Sequence, residues 1–231
     1  MNQSLLRQCV AEFVGTFALI FVGVGVIYNN VPGAGVGLLG VALAHGLTIA
    51  VMVSATMSIS GGQLNPAVTF GLLVGGQMTL RRSLAYWIAQ LAGGAAAAYL
   101  VLGLAGKDGV AAVTAGTPDI AMENGVLKIT VAQAILIEAV LTFFLVFVVY
   151  GSAVDSRAPN IGGLAIGLTV ALDIMFGGPF TGASMNPART FGPAIAVGHW
   201  NHHIVYWVGP LLGGALAGLI YGRFLIKSDP Q

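Results

Sequence analysis

The chain has 231 residues, of which 57% are hydrophobic and only 7% charged, with a mean hydropathy of +0.90. A soluble surface normally needs about a quarter of its residues charged, so lipid has to cover most of this exterior. The net charge of +1 gives no electrostatic footprint for nucleic acid, and a lone cysteine, Cys9, excludes an internal disulfide or a cysteine metal cluster.

Taken in chain order, six apolar runs reach the length of about 20 residues that spanning requires. They cover 9–28, 38–57, 83–105, 129–152, 161–180 and 203–226. The first lacks a small-residue cleavage site and is expected to remain as a helix. The separators hold turn formers: Asn29-Asn30-Val31-Pro32-Gly33, Gly106-Lys107-Asp108-Gly109, Thr117-Pro118-Asp119 and Ala158-Pro159-Asn160. Two further apolar segments, 65–74 and 186–197, are too short to cross. Each follows a Gly- and Ser-containing loop, and irregular backbone at membrane depth is tolerated only inside protein or along a wet cavity. They are candidate re-entrant half-helices.

With six spans both termini share one side. Arg7, Arg81, Arg82, Arg157, Arg223 and Lys227 fall there, against Lys107, Lys128 and Arg189 opposite. The excess of basic residues predicts cytoplasmic termini in a multi-pass protein, with the plasma (inner) membrane as the expected location. Trp87, Trp200, Trp207, Tyr28 and Tyr206 lie near span ends, where interfacial rings are favoured.

The halves repeat. Residues 60–70, Ser-Gly-Gly-Gln-Leu-Asn-Pro-Ala-Val-Thr-Phe, align with 181–191, Thr-Gly-Ala-Ser-Met-Asn-Pro-Ala-Arg-Thr-Phe. Gly46-Leu47-Thr48 matches Gly167-Leu168-Thr169 at the same offset of 121 residues. Tyr86-Trp87 with Gly93-Gly94 matches Tyr206-Trp207 with Gly213-Gly214, and Glu12 with Thr16-Phe17 matches Glu138 with Thr142-Phe143. Three spans per half force the second half to lie inverted, so the short segments enter from opposite faces. The expected organisation is one channel domain, 1–231, with inverted repeats at about 5–106 and 129–227.

Pro66 and Pro187 suit the first turn of a helix, each followed by Ala67 or Ala188, which leaves Asn65 and Asn186 as N-caps. A capping Asn accepts with its oxygen and keeps amide donors for other work. Two of them at the midplane, with two positive helix ends, would orient a passing water oxygen and oppose cations. One Asn-Pro-Ala is a weak signal; two in matching places of an inverted repeat are a strong one.

On these paired boxes the chain resembles the aquaporin family over nearly its whole length. The resemblance implies an all-α membrane protein, six tilted helices plus two half-helices, a pore within each subunit and a homotetramer. It also implies that a distal constriction is formed by His45, Ile174, Ala183 and Arg189. That quartet departs from the water-strict pattern and is similar to plant tonoplast intrinsic proteins, several of which also pass ammonia or urea. Thr190, where glycerol facilitators typically carry Asp, counts against glycerol as the main solute. By the same resemblance Glu12 and Glu138 accept bonds from loop N–H groups and hold the re-entrant loops. Asp173 is expected to bond Thr181 or another loop group. His199, His202 and His203, with Trp200, are expected to form an exposed polar loop, and the Gly pairs to permit close helix crossings.

The expected function is a passive channel for water, with ammonia as a further candidate, excluding protons and ions. A broader facilitator of urea, glycerol or hydrogen peroxide is the alternative, and a secondary transporter a more distant one. The short segments hold only Arg189 as a charge, where a transporter usually needs coupling carboxylates. No catalytic set or metal cluster is apparent, so no enzyme activity and no cofactor are expected. The expected partners are the lipid bilayer, small neutral solutes and further copies of this chain.

Overall fold

The computed structural model describes residues 4–30, 35–106, 114–159 and 161–226. Val31, Pro32, Gly33, Lys107, Asp108, Gly109, Asn160 and Lys227 lie outside the described residues. The elements, in order, are α1 (Leu5–Tyr28), α2 (Gly37–Ser60), α3 (Pro66–Val74), α4 (Leu80–Ala105), the strands β1 (Met122–Glu123) and β2 (Val126–Leu127), α5 (Val131–Val149), α6 (Gly162–Thr181), α7 (Pro187–Val197) and α8 (Val205–Ala217). Two helices run on through wider turns: Asp155 N–H donates to the Tyr150 carbonyl and Ile226 N–H to the Tyr221 carbonyl, both five residues back. With those extensions, α1, α2, α4, α5, α6 and α8 are long and apolar enough to cross a membrane.

Polar caps place the helix starts. Ser4 caps α1 and Thr79 caps α4, so both helices begin earlier than their apolar runs do. Thr130 and Gln133 form a reciprocal capping box at α5. Gly61 and Gly182 end α2 and α6 at φ 92° and 79°, a left-handed geometry that suits glycine. Inside the helices, hydroxyls of Thr48, Ser54, Thr56, Thr142, Ser152 and Thr169 donate to the carbonyl four residues back, so little polar surface meets lipid. The exterior is correspondingly apolar, with Leu6, Ile88, Leu104 and Phe224 all strongly exposed.

Small residues set the crossings. A Cβ built on Gly46 would lie 2.5 Å from the Gly167 carbonyl oxygen, so α2 and α6 meet backbone to backbone. The two Gly pairs divide their work. Gly93 faces the Phe13 carbonyl of α1 and Gly213 the Ala139 carbonyl of α5, whereas Gly94 and Gly214 face the half-helices. A Cβ on Gly94 would sit 2.8 Å from the Ala188 carbonyl oxygen, and one on Gly214 would sit 2.6 Å from that of Ala67. Each pair thus lets one long helix touch both another long helix and the start of a half-helix.

The aromatic expectation needs one correction. Tyr206 is not an interfacial anchor: it is fully buried, and its hydroxyl donates to the Thr181 carbonyl at 2.7 Å. Its repeat mate Tyr86 does the same to Ser60 at 2.8 Å. The C-terminal ends of α2 and α6 leave carbonyls with no intrahelical partner that need buried donors, and these phenols supply them.

Candidate functional site

The half-helices α3 and α7 meet head to head. Asn65 Oδ1 accepts from Ala67 N–H at 2.8 Å, and Asn186 Oδ1 accepts from Ala188 and Arg189 N–H at 3.0 and 3.2 Å. Both cap oxygens are therefore committed, which fixes which side of each amide is nitrogen. Asn65 Nδ2 donates to the Met185 carbonyl at 2.8 Å, and Asn186 Nδ2 donates to the Leu64 carbonyl at 3.0 Å. Each NH₂ has two hydrogens, so one hydrogen ties the halves together and the other is left for the lumen, which both residues line. Pro66 and Pro187 occupy first-turn positions where no N–H is needed.

Two buried carboxylates shape the loops before the half-helices. Glu12 accepts from Ser60 Oγ at 2.6 Å, Gln63 N–H at 3.0 Å, Leu64 N–H at 2.6 Å and Gln90 Nε2 at 2.8 Å. Glu138 accepts from Thr181 Oγ1 at 2.7 Å, Ser184 N–H at 3.0 Å and Met185 N–H at 2.7 Å. Leu64, Ala183 and Met185 have φ of 54°, 46° and 54°, a left-handed geometry that disfavours side chains. These carboxylate bonds hold backbone that would not adopt this shape alone. Both strained loops present carbonyls, those of Leu64 and Met185, to the opposing Asn.

At the mouth opposite the chain termini, the distal mouth, His45, Ile174, Ala183 and Arg189 all line the lumen. Arg189 Nη1 donates to the Gly116 carbonyl at 2.5 Å, and Nη2 lies 3.4 Å from His45 Nε2. His45 Nδ1 lies 2.9 Å from the Val41 carbonyl, which can only accept. The Nδ1 position therefore carries the proton, and Nε2 offers its lone pair to the arginine. Among the described residues no carboxylate forms a direct ion pair with Arg189, which lines the channel. The lumen as a whole, from this mouth past both Asn residues, is a cavity of about 30 Å³, room for a short file of waters, and it adjoins a distal vestibule of about 530 Å³.

The opposite half of the lumen holds a ring that the sequence reading missed. Moving Ile174, Ala183 and Arg189 back by the repeat offset gives Val53, Gly62 and Val68, and moving His45 forward gives Ile166. All four line the channel. The proximal ring is the apolar image of the distal one, and the repeat alignment alone could have located it. The Gly116 carbonyl had no such signal, because a backbone acceptor leaves no mark on residue type.

Two expectations need correction. Asp173 does not bond Thr181, whose hydroxyl is given to Glu138, and among the described residues the buried Asp173 Oδ2 has no hydrogen-bond partner. Ile174 faces the channel, so its helical neighbour points about 100° away, and nothing in the structure explains a carboxyl there. The histidine loop is not simply solvated: His199 Nε2 and His202 Nδ1 each lie 2.8 Å from a different oxygen of Asp119, and Trp207 Nε1 donates to His203 Nε2 at 3.1 Å. Among the described residues, no three His, Cys, Asp or Glu side chains are arranged to hold a metal ion.

Comparison with known proteins agrees with this geometry. The family model described as Major intrinsic protein matches residues 1–221. Aquaporin TIP4-4 of Zea mays is 48% identical over 235 residues, covering 98% of this chain and 90% of the relative. Aquaporin TIP2-1 of Arabidopsis thaliana is 44% identical, covering 97% and 89%. Among solved structures, the aquaglyceroporin from Plasmodium falciparum superposes with a TM-score of 0.81 at 25% identity, covering 96% of this chain and 97% of that one.

Proposed function

We propose, from the premise that this chain belongs to the major intrinsic protein family and is a passive water channel in a membrane, that two opposed constrictions and a central amide pair set what it passes. The observation that carries this is the reciprocal pair of bonds from Asn65 to Met185 and from Asn186 to Leu64. With one hydrogen of each amide fixed across the repeat, the other two are held in the lumen. A water there turns its oxygen to the donors, so its neighbours on either side point their hydrogens outward and a proton wire is broken. The ends of α3 and α7 add positive potential, roughly half an elementary charge each, against cations.

In this account Arg189 is the charge barrier and a fixed donor. The Gly116 carbonyl is its main acceptor and His45 a second, weaker one, Ile174 and Ala183 set the width, and Glu12 and Glu138 keep the loops in shape. Pro66, Ala67, Pro187 and Ala188 open the half-helices. The whole chain acts as one channel domain, with repeats at about 5–106 and 129–227 and both termini cytoplasmic. Assembly as a homotetramer would cover part of the apolar exterior.

Beyond water, ammonia is the further solute we favour. Ile174 offers no hydrogen bond, so the distal ring demands less of a solute than an all-polar one. The broader alternative, urea or glycerol, draws on the likeness to an aquaglyceroporin fold. Relatives of the TIP type weigh against the plasma-membrane location expected above, and imaging a fluorescent fusion against plasma-membrane and vacuolar markers assigns the membrane.

The test is stopped-flow light scattering on proteoliposomes under sucrose, urea, glycerol and ammonium gradients, comparing wild type with His45→Phe/Ile174→His. Water flux should persist in the double variant while the ammonia-to-water ratio falls about tenfold. If every solute ratio stays where it was, the constriction has been assigned to the wrong residues.

A further inference from the structure

We propose that Asp119 is a positioning residue for the distal filter: gripped by His199 and His202, it holds the turn whose Gly116 carbonyl fixes the Arg189 guanidinium. The proposal rests on Arg189 being the selectivity barrier described above.

The guanidinium has two observed holds, and they are unequal. The bond from Nη1 to the Gly116 carbonyl is 2.5 Å, whereas the approach of Nη2 to His45 Nε2 is 3.4 Å, too long to fix the group alone. The position of one backbone carbonyl therefore decides where the charge sits.

That carbonyl belongs to a turn in an unfavourable conformation. Thr114, Ala115 and Gly116 have φ of 49°, 49° and 62°, and only the last is a glycine. Thr117 closes the turn, its N–H and Oγ1 both donating to the Thr114 carbonyl at 2.9 and 2.6 Å. The 114–117 segment therefore moves as a unit, and Pro118, with its fixed φ, joins it directly to Asp119.

Asp119 is where this unit is fastened. Its two oxygens take one histidine each at 2.8 Å, and Oδ1 also accepts the N–H of Ile120 at 2.7 Å. His199 follows the C-cap of α7, and its own N–H donates to the Ala194 carbonyl at 3.1 Å. His202 is held at φ 47°, which is unusual for a side chain other than glycine and aims Nδ1 at the carboxylate.

The half-helix α7 thus grips the turn near both of its ends. Arg189, in the first turn, takes Gly116, and His199, just past the last turn, takes Asp119. Gly116, Asp119 and Arg189 all line the distal vestibule. Loss of the Asp119 hold removes one of the two ties between α7 and the strained turn, and the guanidinium can swing with it into the vestibule.

The experiment measures the urea-to-water permeability ratio of full-length protein in proteoliposomes for wild type, Asp119→Ala, Asp119→Asn, His199→Ala/His202→Ala and Arg189→Val. Removing the clamp, from either side, should raise the ratio roughly three- to ten-fold, the worth of one ordinary hydrogen bond. Asp119→Asn should restore it, because an amide offers one acceptor and one donor, and each neutral imidazole can present either. A purely structural Asp119 would lower the yield of folded protein without moving the ratio. If Arg189→Val shifts the ratio but neither clamp variant does, the proposal is overturned and the filter stands. If Arg189→Val shifts nothing either, both fall. Should Asp119→Ala fail to fold, the histidine double variant decides alone.

Discussion

Replacing Glu138 by Gln changes a single atom type at the base of the distal loop, and the structure fixes the consequence. The carboxylate takes Thr181 Oγ1 and Ser184 N–H on Oε1 and Met185 N–H on Oε2, all donors. A glutamine keeps one oxygen and turns the other into an NH₂, so at least one donor meets a donor. The favourable placement keeps Oε1 for Thr181 and Ser184 and strands the Met185 N–H. A hydrogen bond to a charged group contributes about 1.5–3 kcal/mol, and leaving a buried donor unpaired reaches the upper end, so a loss of about 3 kcal/mol is expected. That is roughly a hundred-fold in the folding equilibrium. Met185 is also the residue whose carbonyl accepts from Asn65, and its φ of 54° persists only while something holds it. The variant should therefore lose thermal stability in detergent, read as the midpoint of monodisperse protein on size-exclusion chromatography, and also lose water permeability per inserted channel. A variant that matches wild type in both would refute the idea that this carboxylate holds the loop.

Other expectations follow from packing and from the proximal surface. Gly214→Val should destabilise by about 1–3 kcal/mol and cut water flux, since even a Cβ there would lie 2.6 Å from the Ala67 carbonyl oxygen at the start of α3. Gly103→Ala is its control: among the described residues nothing lies within 4 Å of that Cβ, and the helix interior should gain about 0.5–1 kcal/mol in the same melting assay. Beyond the end of the fourth span, the Arg157 side chain and N–H hold the Asp155 carboxyl well below the usual carboxylate range. With the folded value depressed, the tie is present above the ordinary carboxylate range and is lost only as pH falls through the lowered folded value. Arg157 Nη2 also donates to the Leu225 carbonyl at 3.2 Å, so protection factors at Leu225 and Ile226, with the intrinsic pH dependence of exchange divided out, should be alike at pH 7 and pH 5 and should fall at both in Arg157→Ala.

Most of the fold was legible because the repeat was legible. Asn65-Pro66 and Asn186-Pro187 announce helix starts by chemistry that is local to the sequence, and apolar runs announce spans by length alone. What stayed hidden depends on partners far along the chain. Asp119 is eighty residues from His199, and no local pattern ties them. Tyr206 sits at a span end by count but turns inward, where the buried carbonyl at the end of α6 takes its hydroxyl. The Val53, Gly62, Val68 and Ile166 ring was within reach of the repeat offset, yet apolar residues in an apolar helix do not stand out. Asp173 was conspicuous from the start, and among the described residues its buried Oδ2 has no hydrogen-bond partner.

The central claim is that the Asn65 and Asn186 amides let water file through while interrupting the path for protons. Its most direct measurement loads purified protein into vesicles carrying a pH-sensitive dye and follows shrinkage and proton entry in the same preparation. Fast osmotic shrinkage, with an imposed pH gradient decaying no faster than in protein-free vesicles, is the predicted result. Vesicles that shrink no faster than bare lipid, or whose gradient collapses along with the water flux, would contradict it.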